Sequence, residues 1–192
     1  MKKLSLTLLV TGLLFACNNT EEKKETPKAD TVKKAEDAPR ENTTVIYEFK
    51  GKEPYINTEY IKNCSEQEKA LLAYYCYFFN TSCKDSKHCL LTEALGLGEQ
   101  NSKAHKDLVL KWFTDEETTT LAKEGGRITP AGSKNMAWYE ELKIVKKGTD
   151  LINVKYNSAW KTETMEGKGK GSDDYQFEEK RIKVIGREHE DL

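Results

Sequence analysis

The pattern of apolar and polar positions changes character four times along the chain. Residues 4–16 (LSLTLLVTGLLFA) are an unbroken apolar run. Residues 18–43 hold no aromatic residue and no Leu, Ile or Met. From Thr44 apolar residues return, first in the short β-branched and aromatic stretch Val45-Ile46-Tyr47-Glu48-Phe49, which predicts a strand. Residues 51–54 read as a turn. Over residues 65–79 the apolar positions Leu71, Leu72, Tyr75, Cys76 and Phe79 recur at helical spacing, and Ser65 with Glu68 forms a capping box. A second short helix is expected over 88–97, with Gly96 and Gly98 as stops. A third starts at Asn101 or Ser102 and runs to Phe113. A fourth starts at the Thr114-x-x-Glu117 pattern and stops at Gly125-Gly126.

After Pro130 the period falls from about 3.6 to about 2. Residues 136–145 predict a strand with Met136, Trp138, Glu140, Leu142 and Ile144 on one face. Residues 147–150 predict a hairpin loop, and residues 151–161 a second strand. Residues 166–174 (EGKGKGSDD) read as a polar loop, with Gly167, Gly169 and Gly171 at a hairpin tip. Residues 175–185 predict a third strand, whose change of phase requires a bulge or a tight turn at Glu179-Lys180. Helices followed by hairpin-connected strands are an α+β pattern, with the helices packed on an antiparallel meander.

Composition adds boundaries. The chain has 192 residues, 31 Lys and Arg against 32 Asp and Glu, and 5 Cys. One domain plus tails is expected at this length. The balanced charge offers no footprint for nucleic acid, so no such partner is expected. The apolar run at residues 4–16 is shorter than the ~18 residues that a spanning helix needs. Behind Met1-Lys2-Lys3 it has the layout of a secretory signal.

That run ends in Leu14-Phe15-Ala16-Cys17, which resembles the lipobox of bacterial lipoproteins. The resemblance implies a diacylglyceryl group on the Cys17 thiol, cleavage after residue 16, and acylation of the new amine. It makes the membrane the first partner, held through the anchor on Cys17. Asn18, in place of Asp, leans towards the outer membrane, on its periplasmic or surface face. Residues 17–43 are then a lipidated, disordered, charged tether, with Pro27 and Pro39 interrupting any helix. A flexible chain of this length spans on the order of 25–30 Å. The domain is assigned to residues 44–192.

Four Cys are left for the domain: Cys64, Cys76, Cys83 and Cys89. An even number in an exported chain predicts two disulfides. The pairings open are Cys76–Cys83 with Cys64–Cys89, or the crossed Cys64–Cys83 with Cys76–Cys89. No Cys-x₂-Cys pair supports a zinc site at Cys83, His88, Cys89 and His105, and no metal or cofactor is expected.

Catalytic motifs are missing. None of His88, His105 and His189 has a sequence neighbour that would tune it as a base, so solvent-facing or capping roles are expected. Asp173-Asp174 is an adjacent carboxylate pair, and on a strand its members point to opposite faces. The aromatic residues from Tyr74 to Phe79 surround their whole helix, more than one buried face would use.

The ending Tyr175-Gln176-Phe177 … Ile182-Lys183-Val184-Ile185 resembles the final strands of NTF2-like (cystatin-like) α+β domains. That resemblance implies helices over a long-stranded meander. Two functions follow as expectations. The first is an envelope-anchored, non-enzymatic binding or interaction module, in one form an immunity or inhibitor protein with a protein partner. The second is a small NTF2-like enzyme, with an apolar pocket lined by convergent titratable groups.

Overall fold

The computed structural model describes residues 42–50, 53–78, 90–125 and 136–192. All of these lie within one unit, Pro39–Leu192. β1 (Asn42–Lys50) and β2 (Glu53–Ile56) pair antiparallel, with Tyr47 opposite Ile56. Four helices and one short helical turn follow: α1 (Thr58–Asn63), α2 (Glu66–Cys76), α3 (Leu90–Ala94), α4 (Lys103–Trp112) and α5 (Glu116–Glu124). The chain then runs as a meander through β3 (Met136–Lys146), β4 (Leu151–Lys161), β5 (Glu166–Glu178) and β6 (Arg181–Asp191). The strand order is β2-β1-β3-β4-β5-β6, antiparallel throughout. The fold is α+β.

Residues paired across an antiparallel ladder point to the same side. The inner side therefore carries Tyr47, Leu142, Ile144, Ile152, Val154, Tyr156, Asp173, Tyr175, Ile182 and Val184. Helix α2 lies over this side. Its Ser65 Oγ accepts from the Glu68 N–H at 3.1 Å, and Glu68 Oε2 accepts from the Ser65 N–H at 2.8 Å, which is the expected capping box. The residues from Ala70 to Cys76 are all buried. A helix apolar on every side belongs in the middle of a core. Tyr75 meets the sheet, whereas Tyr74 stacks on Phe113 at 5.2 Å and Tyr77 on His105 at 4.2 Å. The aromatic excess is thus divided between the sheet below and α4 above.

His105 is buried completely, not solvent-facing. Its Nδ1 accepts from the Asn101 N–H at 3.1 Å, so Nε2 carries the proton and donates to the Ala73 carbonyl at 2.7 Å. Burial depresses its pKa, which keeps this neutral latch intact at physiological pH.

Other expectations are corrected. The α5 cap is Asp115, whose side chain accepts from the Thr118 N–H at 2.8 Å, one residue beyond the expected Thr114. The supposed turn over 51–54 contains the start of β2, a four-residue edge strand. A bulge at Glu140 shifts the β3–β4 register, so Tyr139 and Ala137 share the inner face with Leu142, and Trp138 does not. Residues 166–174 are no loop: they form the first nine residues of β5. The phase change at Glu179-Lys180 is a two-residue turn between β5 and β6.

No disulfide joins the described residues. Cys64 is a free thiol whose Sγ donates to the Ile61 carbonyl at 3.1 Å. Cys76 Sγ donates to the Leu72 carbonyl at 3.3 Å. Cys83, Cys89 and His88 lie outside the described residues, as do Cys17, the leader and the tether up to residue 41. Among the described residues no helix is long and apolar enough to cross a membrane.

Candidate functional site

Every second residue of β5 from Gly167 to Phe177 faces α2: Gly167, Gly169, Gly171, Asp173, Tyr175 and Phe177. The glycines make room. A Cβ on Gly171 would lie 2.2 Å from Tyr156 Cζ, and one on Gly167 would lie 2.5 Å from Trp160 Cζ2. The rings of β4 therefore lie across a bare stripe of β5. His189, opposite Gly171 on β6, adds a ring stacked beside Tyr156, with centroids 6.5 Å apart.

Beyond this stripe, at the C-terminal end of α2, a cleft of about 310 Å³ opens between helix and sheet. Phe78, Tyr139 and Tyr156 supply aromatic walls, and Tyr75, Asp173, Ser158, His189, Ala137 and Trp138 complete the lining, Trp138 from a position whose side chain alternates to the other face of the sheet. Among the described residues its lining contains no Lys or Arg. Two larger hollows, of about 630 and 500 Å³, lie along the β6 edge and the outer face of the sheet. Charges around them are paired, Arg187 with Glu117, Lys170 with Glu190 and Lys143 with Glu141.

Asp173 is the chemical centre of the cleft. It is 5% exposed. Its Oδ2 accepts from the Tyr75 hydroxyl at 2.6 Å and from the Tyr175 hydroxyl at 3.3 Å, and the two hydroxyls are 2.8 Å apart. One proton arrangement satisfies all three contacts. Tyr75 donates to Asp173, and Tyr175 donates to the Tyr75 oxygen with Asp173 as its more distant second acceptor. Burial holds both phenols well above their ordinary pKa, so they act as donors at physiological pH.

The second carboxylate oxygen, Oδ1, is buried and has no hydrogen-bond partner. Burial pushes the Asp173 carboxyl above its ordinary pKa, against the opposing pull of Tyr75, Arg187, Tyr175 and His189. Arg187 does not reach it as an ion-pair partner: its guanidinium bonds Glu117 and, at 2.9 Å, the Tyr74 hydroxyl. The neighbouring Asp174 faces the other way and is held by Lys147 and Asn153, at 2.9 and 3.0 Å. The pair is split between the two faces, as strand geometry requires.

For His189 a solvent-facing or capping role was expected. It sits on β6 at the lip of the cleft, its Nε2 3.2 Å from Asp191 Oδ1. The glycines expected at a mobile tip form the floor. Asp173 and His189 as site partners were not foreseen. The signal for the first was the strict period-two run Gly167, Gly169, Gly171, Asp173, Tyr175, Phe177, which is a strand pattern written partly in glycine. Among the described residues no three His, Cys, Asp or Glu side chains converge as a metal site requires. His105, the distant candidate ligand, is committed to Ala73 and Asn101.

No protein-family model, no curated protein and no solved structure matches this chain.

Proposed function

We propose that this chain is a lipoprotein of a bacterial cell envelope, anchored in the outer membrane through Cys17, whose α+β domain is a small-molecule-binding module. The anchor is supported by the Leu14-Phe15-Ala16-Cys17 motif behind a cationic, apolar leader. The binding role is supported by one observation above all. A buried carboxylate with an unpartnered oxygen lines an aromatic cleft of about 310 Å³, the lower end of the size range of small-molecule sites. An unsatisfied buried acceptor costs ~1–3 kcal/mol, and a ligand donor recovers part of that cost.

The NTF2-like reading of the fold is supported by a central helix lying over a four-stranded meander, with the cleft at the helix's end. The β1–β2 hairpin ahead of the helices departs from the expected order. A second function, a small acid–base enzyme, is favoured by the presence of both Asp173 and His189 in the cleft lining.

Gly171→Ala tests the binding role. The new methyl group forces the Tyr156 ring off the strand and into the cleft. Overpacking of this kind costs ~1–3 kcal/mol, so the variant still folds. In a thermal-shift screen of small fragments, wild type responds to compounds that leave Gly171→Ala unmoved. A screen in which no fragment separates the two proteins contradicts a ligand site at this place.

A further inference from the structure

We infer that the cleft at Asp173 selects ligands carrying a primary or secondary ammonium group on an apolar, ring-sized body. This assignment rests on the cleft being a ligand site and adds the chemistry of its occupant.

Three features point to it. The first is charge. Among the described residues, Asp173 is the only carboxylate in the lining, and no Lys or Arg accompanies it. The nearest guanidinium, on Arg187, is committed to Glu117 and Tyr74. The lysines that flank the glycines face the other side of the sheet, with Lys168 bound to Glu140 and Lys170 to Glu190. Among the described lining residues His189 is the one group that can carry positive charge. An anionic ligand would be brought against Asp173 with no fixed cation to offset it, whereas a cationic one is neutralised there.

The second is the orphan oxygen. Oδ2 already accepts from Tyr75 and Tyr175, so the carboxylate is held by one edge while Oδ1 has no donor. Torsion about the bond to a carboxylate is soft. A small rotation brings Oδ1 to a donor in the cleft. A ligand with N–H or O–H groups satisfies it, and a charged N–H does so about twice as strongly as a neutral donor. This favours a protonated amine over a quaternary one.

The third is the wall. Tyr139 and Tyr156 are edge-to-face at 5.3 Å, and Phe78 and Tyr75 stand in the same lining. Aromatic faces attract a desolvated cation and shelter an apolar body equally well. A carboxylate beside several rings is the arrangement that an organic ammonium satisfies on every side. A metal ion would instead ask for more oxygen ligands than the single carboxylate offers.

The experiment is a calorimetric titration of the full chain in detergent with three probes of one shape: 2-phenylethylammonium, 2-phenylethanol and 3-phenylpropionate. The ammonium is expected to bind at least tenfold more tightly than the alcohol, and the carboxylate not measurably. Asp173→Asn is expected to bring the ammonium down to the level of the alcohol and to leave the alcohol unchanged. Equal binding of ammonium and alcohol, or preference for the carboxylate, overturns the selectivity while leaving a ligand cleft in place. Failure of all three overturns it as well, and the fragment comparison with Gly171→Ala then shows whether the cleft itself falls with it. The wild-type series alone decides the matter if Asp173→Asn does not fold.

Discussion

Cys17→Ser is expected to leave the protein as an unprocessed precursor without lipid, and the outer-membrane fraction to lose essentially all of it. The reason is the chemistry of a single sulfur. A serine oxygen does not accept the diacylglyceryl group, and cleavage after Ala16 follows that modification in proteins with this motif. Buried acyl chains hold at ~0.8 kcal/mol per CH₂, so two or more chains anchor almost irreversibly. If the leader is removed with Lys2 and Lys3, acids exceed bases, so net charge gives no attraction to anionic lipid. Intact-mass measurement of the envelope protein reads the result. A chain beginning at Cys17 and carrying acyl mass supports the anchor; a bare Cys17 sulfur, or a Cys17→Ser protein still found in the outer membrane, refutes it.

Glu68→Gln is expected to destabilise the domain strongly although it changes only one atom of the side chain. Glu68 is 6% exposed and joins three elements. Its Oε2 closes the capping box of α2, and its Oε1 takes the Tyr60 hydroxyl of α1 at 2.6 Å and the Lys146 ammonium of β3 at 2.6 Å. Every neighbour is a donor. A glutamine places its own NH₂ against one of them and leaves Lys146 without a counter-charge. Because Lys146 is partly exposed, solvent screens some of that loss. The cap, the buried hydrogen bonds and the residual ion pair together amount to ~2–3 kcal/mol. For a domain of this size that lowers the melting temperature by ~5–10 °C.

The substitution also carries a pH signature. Burial alone would raise the Glu68 carboxyl, but Lys146, Tyr60 and Ser65 outweigh it and hold the carboxyl below its ordinary 4.5. The folded-state acid is therefore stronger than the unfolded one. Its stabilisation is fully present above pH 4.5 and is lost as the pH falls through the folded-state value. Denaturation curves of wild type and Glu68→Gln are expected to differ at pH 7 and to converge in acid. A gap that persists unchanged at low pH contradicts the charge's role.

Features set by near neighbours were legible along the chain. Ser65 and Glu68 are three residues apart, and the capping box they predict is the one that forms. The turn at Glu179-Lys180 follows from the phase change between Phe177 and Ile182, which pair directly across it. Competition between local signals was harder to read. Thr114 and Asp115 both favour a cap, and the carboxylate of Asp115 takes it. β5 was hidden because glycine is a poor strand former by itself; its positions are held by rings from the next strand, which periodicity along β5 cannot reveal. The cleft was beyond reach for a related reason. Tyr75 and Asp173 are 98 positions apart, and only the finished sheet brings them to 2.6 Å. What the chain did show was a surplus of aromatic residues around α2, which proved to include the cleft wall.

Thermal unfolding of Asp173→Asn beside wild type, without any ligand, decides whether Asp173 serves a binding site or the fold. The folded state makes this carboxyl a weaker acid than its ordinary 3.8, so its contribution favours folding below that value and is lost as pH rises through the folded-state one. An asparagine keeps an oxygen for Tyr75 and Tyr175 and puts its NH₂ where Oδ1 has no donor to lose. A site residue held at the expense of stability predicts a variant at least as stable as wild type at pH 7, with the difference closing below about pH 4. A variant that melts 5 °C or more below wild type, the range expected for Glu68→Gln, would make Asp173 a structural group and the cleft a packing defect.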